Sequence, residues 1–151
     1  MKKKILIGCV FLLIIFLSKV IAQGLQKENV ETGTLKLMIS GFDIDKGHAK
    51  IALCNSEEDF KRPDNTFRSF NAIIKNGKSE WAFSDLPFGT YAVKVYHDEN
   101  SNGNLDKNAF GVPKEKFGFS SNARATFGPP AYERAQFTFN TTDMTVCIRI
   151  E

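Results

Sequence analysis

Hydrophobic and polar residues alternate in short segments along most of the chain, with the two-residue period that is typical of β-strands. Leu35, Leu37 and Ile39 form the first series, and comparable segments recur about every ten residues. The predicted strands that follow run through residues 51–53, 67–74, 81–83, 90–97, 137–139 and 146–150. Apart from a turn expected at residues 56–60, no segment carries a helical stripe. We therefore expect an all-β fold, a single β-sandwich of about seven strands.

Asn76-Gly77 lies between the third and fourth segments and predicts a tight hairpin. Residues 107–134, in contrast, form a long stretch without this alternation. Prolines stiffen the stretch, and its aromatic side chains can bury surface: Phe110, Phe117, Phe119, Phe127 and Tyr132. We predict a long ordered loop that packs as a flap over one end of the sandwich.

The polar loop, residues 98–106, reads Asp-Glu-Asn-Ser-Asn-Gly-Asn-Leu-Asp. This spacing matches the front part of an EF-hand-type calcium loop, in which alternate side chains converge on the ion and the glycine permits a sharp turn. The predicted Ca²⁺ ligands are the side chains of Asp98, Asn100, Asn102 and Asp106 and the backbone carbonyl of Asn104.

The same residue types are also common in turns, so a polar turn without a metal is the alternative. Position 12 of the pattern, a bidentate Glu in an EF-hand, is Ala109 here. A further ligand must therefore come from water, from Glu115 or from another loop. With only two carboxylates, the dissociation constant expected for calcium is about 10⁻⁴ to 10⁻³ M.

The first 22 residues have the organisation of a secretory signal peptide. Lys2-Lys3-Lys4 precede an apolar segment at residues 5–17, and Val20-Ile21-Ala22 form a cleavage site. We expect cleavage to leave a flexible segment, residues 23–32, and one β-sandwich domain, residues 33–151, in the periplasm or secreted. The apolar segment is too short for a transmembrane helix, so we expect no membrane span in the mature protein.

Removal of the signal peptide changes the charge of the protein. Four lysines are lost, so 16 of the 20 Lys and Arg residues remain against 17 Asp and Glu, a net charge of −1. Without a basic surface the mature chain is not expected to bind nucleic acid. Its two cysteines, Cys54 and Cys147, fall on the polar-facing phase of predicted strands. Export permits a disulfide between them if those strands are neighbours, and two separate thiols are the alternative.

His97, Lys114, Ser120 and Arg124 are the candidate ligand-binding residues at the flap. A Ser–His–Asp site built from Ser120, His97 and Asp98 is disfavoured because adjacent residues of a strand point to opposite faces. The serine also lacks a nucleophile-elbow sequence. Lys114 and Arg124 either bind an anionic ligand or fasten the flap to backbone carbonyls.

Several segments, taken in order, resemble the DUF2141 family of exported bacterial proteins. They are Gly33-Thr-Leu35 and residues 47–56, 81–91, 95–106, 111–115, 117–124 and 127–130. The resemblance covers residues 33–150 and implies no catalytic residues. The segment Asp85-Leu-Pro-Phe-Gly-Thr-Tyr91 also resembles β-sandwich modules of the carboxypeptidase-regulatory and transthyretin-like types, which implies an Ig-like or transthyretin-like sandwich.

These features favour an exported binding or structural module of the cell envelope over an enzyme. Its partner is expected to be an envelope protein or a small ligand. One alternative is a small hydrolase or isomerase with a site formed by residues 107–134, which requires the four candidate residues to share a pocket. The other is a small-ligand carrier, which requires an apolar cavity inside the sandwich.

Overall fold

The computed structural model describes residues 30–62 and 66–151. The predicted signal peptide and most of the predicted flexible segment lie outside these ranges. The strands are β1 (Thr32–Ser40), β2 (His48–Cys54), β3 (Arg68–Lys75), β4 (Lys78–Pro87), β5 (Gly89–Asp98), β6 (Phe117–Phe119), β7 (Phe137–Phe139) and β8 (Asp143–Arg149). The helices are α1 (Glu57–Lys61), α2 (Tyr132–Ala135) and a 3₁₀ helix (Ser120–Asn122). The all-β prediction is confirmed, and none of the described helices is long and apolar enough to cross a membrane.

The alternation in the sequence corresponds to the two faces of the strands. Leu35, Leu37 and Ile39 of β1 are fully buried, and so are Val93 of β5 and Phe139 of β7. Polar residues between them face outward, since successive side chains of a strand point to opposite sides. The predicted inward positions therefore form the main hydrophobic core.

The strands are hydrogen-bonded in the order β6-β5-β2-β3-β4-β1-β8, and β7 pairs with β5. Only the β1–β8 pair is parallel among the described strands. The β3–β4 pair joins through the predicted hairpin, where Asn76 and Gly77 both have positive φ, 52° and 71°. Two positive φ values in a two-residue loop are the signature of a type I′ turn, so the hairpin prediction is confirmed.

The two ends of this strand order are also joined to each other. Phe117 and Glu151 exchange two backbone hydrogen bonds of 3.1 Å each, which join β6 to the residues after β8. Gly118 allows this approach, because a Cβ atom there would lie 2.8 Å from the Arg149 carbonyl oxygen. The fold thus combines features of a two-sheet sandwich and of a flattened barrel.

The stretch 107–134 has secondary structure of its own, since it contains β6, the 3₁₀ helix and the start of α2. It covers the outer side of β5 with a second hydrophobic cluster: Cys54, Phe60, Ala92, Phe119, Ala123 and Ala135. Phe117 and Tyr132 pack against this cluster as partly buried residues. Phe110 and Phe127 do not, because they are 91% and 92% exposed. The expectation that all five aromatic residues bury surface is wrong for these two.

Both cysteines of the domain are free. Cys54 ends β2 and pairs with Ala92 of β5, whereas Cys147 lies on β8 opposite Met38 of β1. Their strands are not neighbours, so the structure does not form the disulfide considered from the sequence. Cys54 is also fully buried, which corrects its assignment to a polar-facing position.

Candidate functional site

The polar loop begins where β5 ends, and its backbone curls back on itself. Ser101 and Gly103 have positive φ values of 59° and 81°. Asp98, the last residue of β5, is 3% exposed. Its carboxylate accepts hydrogen bonds from the backbone N–H of Asn102 at 3.0 Å and of Gly103 at 2.9 Å. The first predicted ligand therefore holds the fifth and sixth positions of the loop in place.

The other predicted side-chain ligands converge on Asp106. The amide nitrogens of Asn100 and Asn102 donate to its two carboxylate oxygens at 2.8 and 3.1 Å. The amide oxygens of the same two residues accept from the backbone N–H groups of Asn102 and Asn104 at 3.0 and 2.8 Å. The structure thus brings Asn100, Asn102 and Asp106 together in one cluster, and Asp98 is joined to it through the backbone N–H of Asn102.

Glu115 closes this loop from outside it. The side chain is 6% exposed, and its two oxygens accept from the backbone N–H groups of Glu99 and Asp106, both at 2.9 Å. Lys114 contributes its backbone N–H to the Asp106 carbonyl at 2.8 Å. The sequence suggests Glu115 as a further ligand. Its role in joining the two ends of the loop is visible only in the structure.

Tyr96 fixes the loop from the side of β5. Its hydroxyl donates to the Gly103 carbonyl at 2.7 Å. Burial, followed by the nearby carboxylates of Asp98 and Glu115, raises the pKa of Tyr96 to about 12. The phenol therefore stays neutral and keeps its hydrogen bond at any physiological pH. Sequence reasoning placed Tyr96 on a strand but gave it no function.

The donor set of the loop consists of oxygens, which is the chemistry that Ca²⁺ prefers. The two amide groups now present nitrogen to Asp106, so a cation beside that carboxylate requires their oxygens to turn toward it. Such a turn breaks the hydrogen bonds that the two amide oxygens accept from the backbone N–H groups of Asn102 and Asn104, so a cation would compete with the present network. No group of three or more His, Cys, Asp or Glu side chains in the described ranges has metal-site geometry. The oxygen atoms of these side chains are ligand types of hard cations, and the loop contains no thiolate or imidazole ligand of a transition-metal site.

His97 lies directly before the loop, and its ring contacts both the segment between β1 and β2 and Glu99 of the loop. The side chain is 1% exposed, and its Nε2 donates to the Lys46 carbonyl at 2.7 Å. Its ring packs edge-on against Phe42, with the ring centroids 5.1 Å apart. Nδ1 lies 3.7 Å from a carboxylate oxygen of Glu99. These contacts attach the loop between β1 and β2 to the end of β5.

Ser120 and Arg124 also have structural partners. The Ser120 hydroxyl is fully buried, accepts from the backbone N–H of Val93 at 2.8 Å and donates to the Ala135 carbonyl at 2.5 Å. Arg124 donates to the Arg149 carbonyl at 3.1 Å and lies 3.4 Å from the Glu151 carboxylate. Of the two uses considered for Arg124, the structure shows attachment to a backbone carbonyl.

The four candidate ligand-binding residues do not form one site. Ser120 is hydrogen-bonded to Val93 of β5. Val93 and His97 are four residues apart on this strand, or about 13 Å. The side chain of Lys114 is exposed and makes no ion pair in the described ranges. Two surface depressions, one beside Trp81 and one at the β3–β4 hairpin, contain none of the four.

Known proteins give one family and a distant structural likeness. The family described as "Uncharacterized protein conserved in bacteria (DUF2141)" matches residues 37–147. Two structures of a pilus-presented adhesin, Cpa, one of them a cysteine-to-alanine mutant, are 21% and 20% identical, with TM-scores of 0.27 and 0.26. Each match covers 82% of this chain but only 28% of the adhesin. A likeness at this level carries no information about activity. No curated protein matches the sequence.

Proposed function

The chain belongs to the DUF2141 family of bacterial proteins, and we propose that it is an exported binding or structural module of the cell envelope that binds Ca²⁺ at its polar loop. The observation that carries this proposal is the convergence of Asn100 and Asn102 on the Asp106 carboxylate. Asp98 holds the backbone of the same loop from the opposite end. Three side chains that carry oxygen atoms are thereby gathered at one point of the loop.

The residues that would hold the ion are the side chains of Asp98, Asn100, Asn102 and Asp106 and the carbonyl of Asn104. When bound, Ca²⁺ supplies two positive charges that offset the carboxylates at the loop. The chain's own residues supply the frame, since Glu115 joins the loop ends and Tyr96 fixes its middle. The role of the ion is therefore structural, at the junction between β5 and the stretch that follows.

Export is the second part of the proposal. Residues 1–22 carry the charge and apolar pattern of a signal peptide, and their removal leaves a net charge of −1. N-terminal sequencing of the protein recovered from the periplasm or medium should give Gln23 as the first residue. Retention of Met1 in a cytoplasmic product would contradict export. It would not affect the calcium proposal, which has a separate test.

The calcium site is tested by thermal unfolding of the exported protein with chelator, with Ca²⁺ and with Mg²⁺ at equal concentration. At 100 times the dissociation constant, Ca²⁺ should stabilise the fold by about 2.7 kcal/mol. For a domain of this size the midpoint should rise by roughly 5 °C or more. Asp106→Asn should remove the rise.

A matched control comes from the same loop. Asn104 is proposed to contribute only its backbone carbonyl, so Asn104→Ala should keep the calcium-dependent rise. Equal midpoints in chelator and calcium, or equal shifts for the two variants, would make the loop a polar turn without a metal. An equal rise with Mg²⁺ would contradict selectivity for calcium.

A further inference from the structure

The 107–114 hairpin, which follows the polar loop directly, presents two apolar side chains to solvent. Phe110 is 91% exposed and Val112 is 54% exposed. Apolar side chains that are exposed singly are common on protein surfaces, but here two of them share one hairpin tip. The hairpin belongs neither to the hydrophobic clusters nor to the proposed calcium ligands.

The hairpin is held in shape by its own hydrogen bonds. Lys107 and Pro113 form an antiparallel bridge, and Asn108 donates its backbone N–H to the Val112 carbonyl at 2.9 Å. The Asn108 side-chain oxygen accepts from the backbone N–H groups of Phe110 at 2.9 Å and of Val112 at 3.0 Å. The Asn108 side chain thus pairs the backbone N–H groups of both apolar residues. The exposed positions of Phe110 and Val112 therefore leave these two backbone groups paired.

Two lysines stand at the base of the apolar tip. Lys107 and Lys114 are both exposed, and neither forms an ion pair within residues 30–62 and 66–151. The segment 107–114 contains no acidic residue, so its charge is +2. Apolar side chains at a tip with basic residues behind them match a surface that is apolar inside and anionic outside.

We infer that the 107–114 hairpin docks on an anionic membrane surface, with Phe110 and Val112 entering the interface and Lys107 and Lys114 at the lipid headgroups. A protein partner fits less well, because a stable protein interface covers about 800 Å² on each side. A convex tip with two apolar side chains supplies a small part of that area. A bilayer needs no complementary pocket.

The association should be weak and reversible. The hairpin offers two partly inserted side chains and two lysine charges. Their combined binding free energy is comparable to that of a single lipid anchor, which holds a protein at a membrane only marginally. Loss of the Phe110 ring should reduce vesicle partitioning about tenfold. Loss of each lysine charge should reduce it about fivefold on anionic vesicles, with no reduction on neutral ones.

The test uses the exported protein with chelator in every sample, so that a cation at the polar loop does not affect the result. Phe110→Trp places an indole at the tip, and Phe127→Trp is a matched control at a residue that is 92% exposed. With phosphatidylglycerol vesicles, the emission of the Phe110→Trp variant should shift to the blue and be quenched by brominated lipid. The wild-type protein supplies the background signal of Trp81.

The Phe127→Trp variant and all neutral phosphatidylcholine samples should show neither change. Lys107→Gln and Lys114→Gln should weaken sedimentation with anionic vesicles, and Phe110→Ala should weaken it most. Unaltered melting midpoints would show that these variants fold. Absence of lipid quenching at the tip, or sedimentation that Phe110→Ala leaves unchanged, would overturn the inference. Absence of lipid quenching would instead favour a protein as the partner of the tip.

Discussion

The carboxylate of Glu115 accepts a hydrogen bond from the backbone N–H of Asp106 at 2.9 Å. Its other oxygen accepts from Glu99 at the same distance. One buried side chain beyond the 107–114 hairpin therefore joins the first and last parts of the polar loop. The preorganisation of the proposed calcium ligands depends on a residue outside the ligand motif.

Replacing Glu115 should destabilise the domain and loosen the loop. Glu115→Ala leaves two partly buried backbone N–H groups without an acceptor, which should cost about 2–3 kcal/mol. The melting midpoint should fall by roughly 5–10 °C. Glu115→Gln keeps one acceptor oxygen, so its melting midpoint should lie between those of Glu115→Ala and the wild type.

Thermal unfolding in chelator measures these midpoints, and Glu80→Ala, at an exposed residue, is the control. Equal midpoints for Glu115→Ala and Glu80→Ala would show that the bridge does not stabilise the fold.

Ser120 should behave as a structural residue. Ser120→Ala leaves the Val93 N–H without its buried acceptor and leaves the Ala135 carbonyl only a 3.4 Å contact with the Ser121 hydroxyl, so the free energy of unfolding should fall by about 1–3 kcal/mol. The neighbouring Ser121 hydroxyl is exposed and makes only 3.4 Å contacts. Ser121→Ala should therefore change stability little. Urea denaturation of the two variants compares them directly, and a similar free energy for both would refute the buried role.

The two cysteines should differ in reactivity. Burial raises the pKa of the Cys54 thiol, an effect that the charge of nearby Lys94 partly offsets. A buried thiol with a raised pKa reacts slowly, whereas Cys147 is exposed. Iodoacetamide should add one label to the folded exported protein and two after denaturation, as mass spectrometry will show. A protein that takes no label until it is reduced would instead contain the disulfide.

Tyr96 should make stability depend on pH in the alkaline range. Its pKa is raised from 10.0 to about 12 in the fold, so the unfolded chain ionises first. The stabilisation is complete below pH 10 and is lost as the pH rises from about 10 to about 12. Tyr96→Phe lacks the hydrogen bond to Gly103 and should be about 1 kcal/mol less stable at pH 7.

The difference between the wild type and Tyr96→Phe should therefore shrink above pH 10. Urea denaturation at pH 7, 9, 10.5 and 11.5 measures it. Burial also raises the pKa values of Tyr91 and Tyr132. Both proteins retain these two residues, so their effect cancels in the comparison. A difference that stays constant across the series would contradict the proposed ionisation of Tyr96.

The strands and their inward faces could be predicted from the sequence because they depend on local periodicity. Leu35, Leu37 and Ile39 occupy one face whatever covers them, and Asn76-Gly77 favours a type I′ turn through its own backbone preferences. The same holds for the proposed calcium ligands, since alternate residues around a glycine turn converge within one short loop. These parts need no knowledge of distant residues.

Periodicity could not show which outer faces are covered by another segment. Cys54 lies outside the main core, and the packing of residues 117–135 and of Phe60 around it buries it. The same packing separates Phe119, which is buried, from Phe127, which is exposed, although both lie in one aromatic-rich stretch. Burial of an outward side chain depends on the path of the chain, and local alternation does not encode that path.

The sequence by itself determined the all-β class, the β3–β4 hairpin and the local spacing of the polar loop, because each follows from neighbouring residues. Tertiary structure alone decided the closure between β6 and the end of β8 and the buried contacts of Ser120. It also decided the hydrogen bonds by which Glu115 and Tyr96 hold the polar loop. Those contacts depend on strand register, which brings together residues that are distant in the chain.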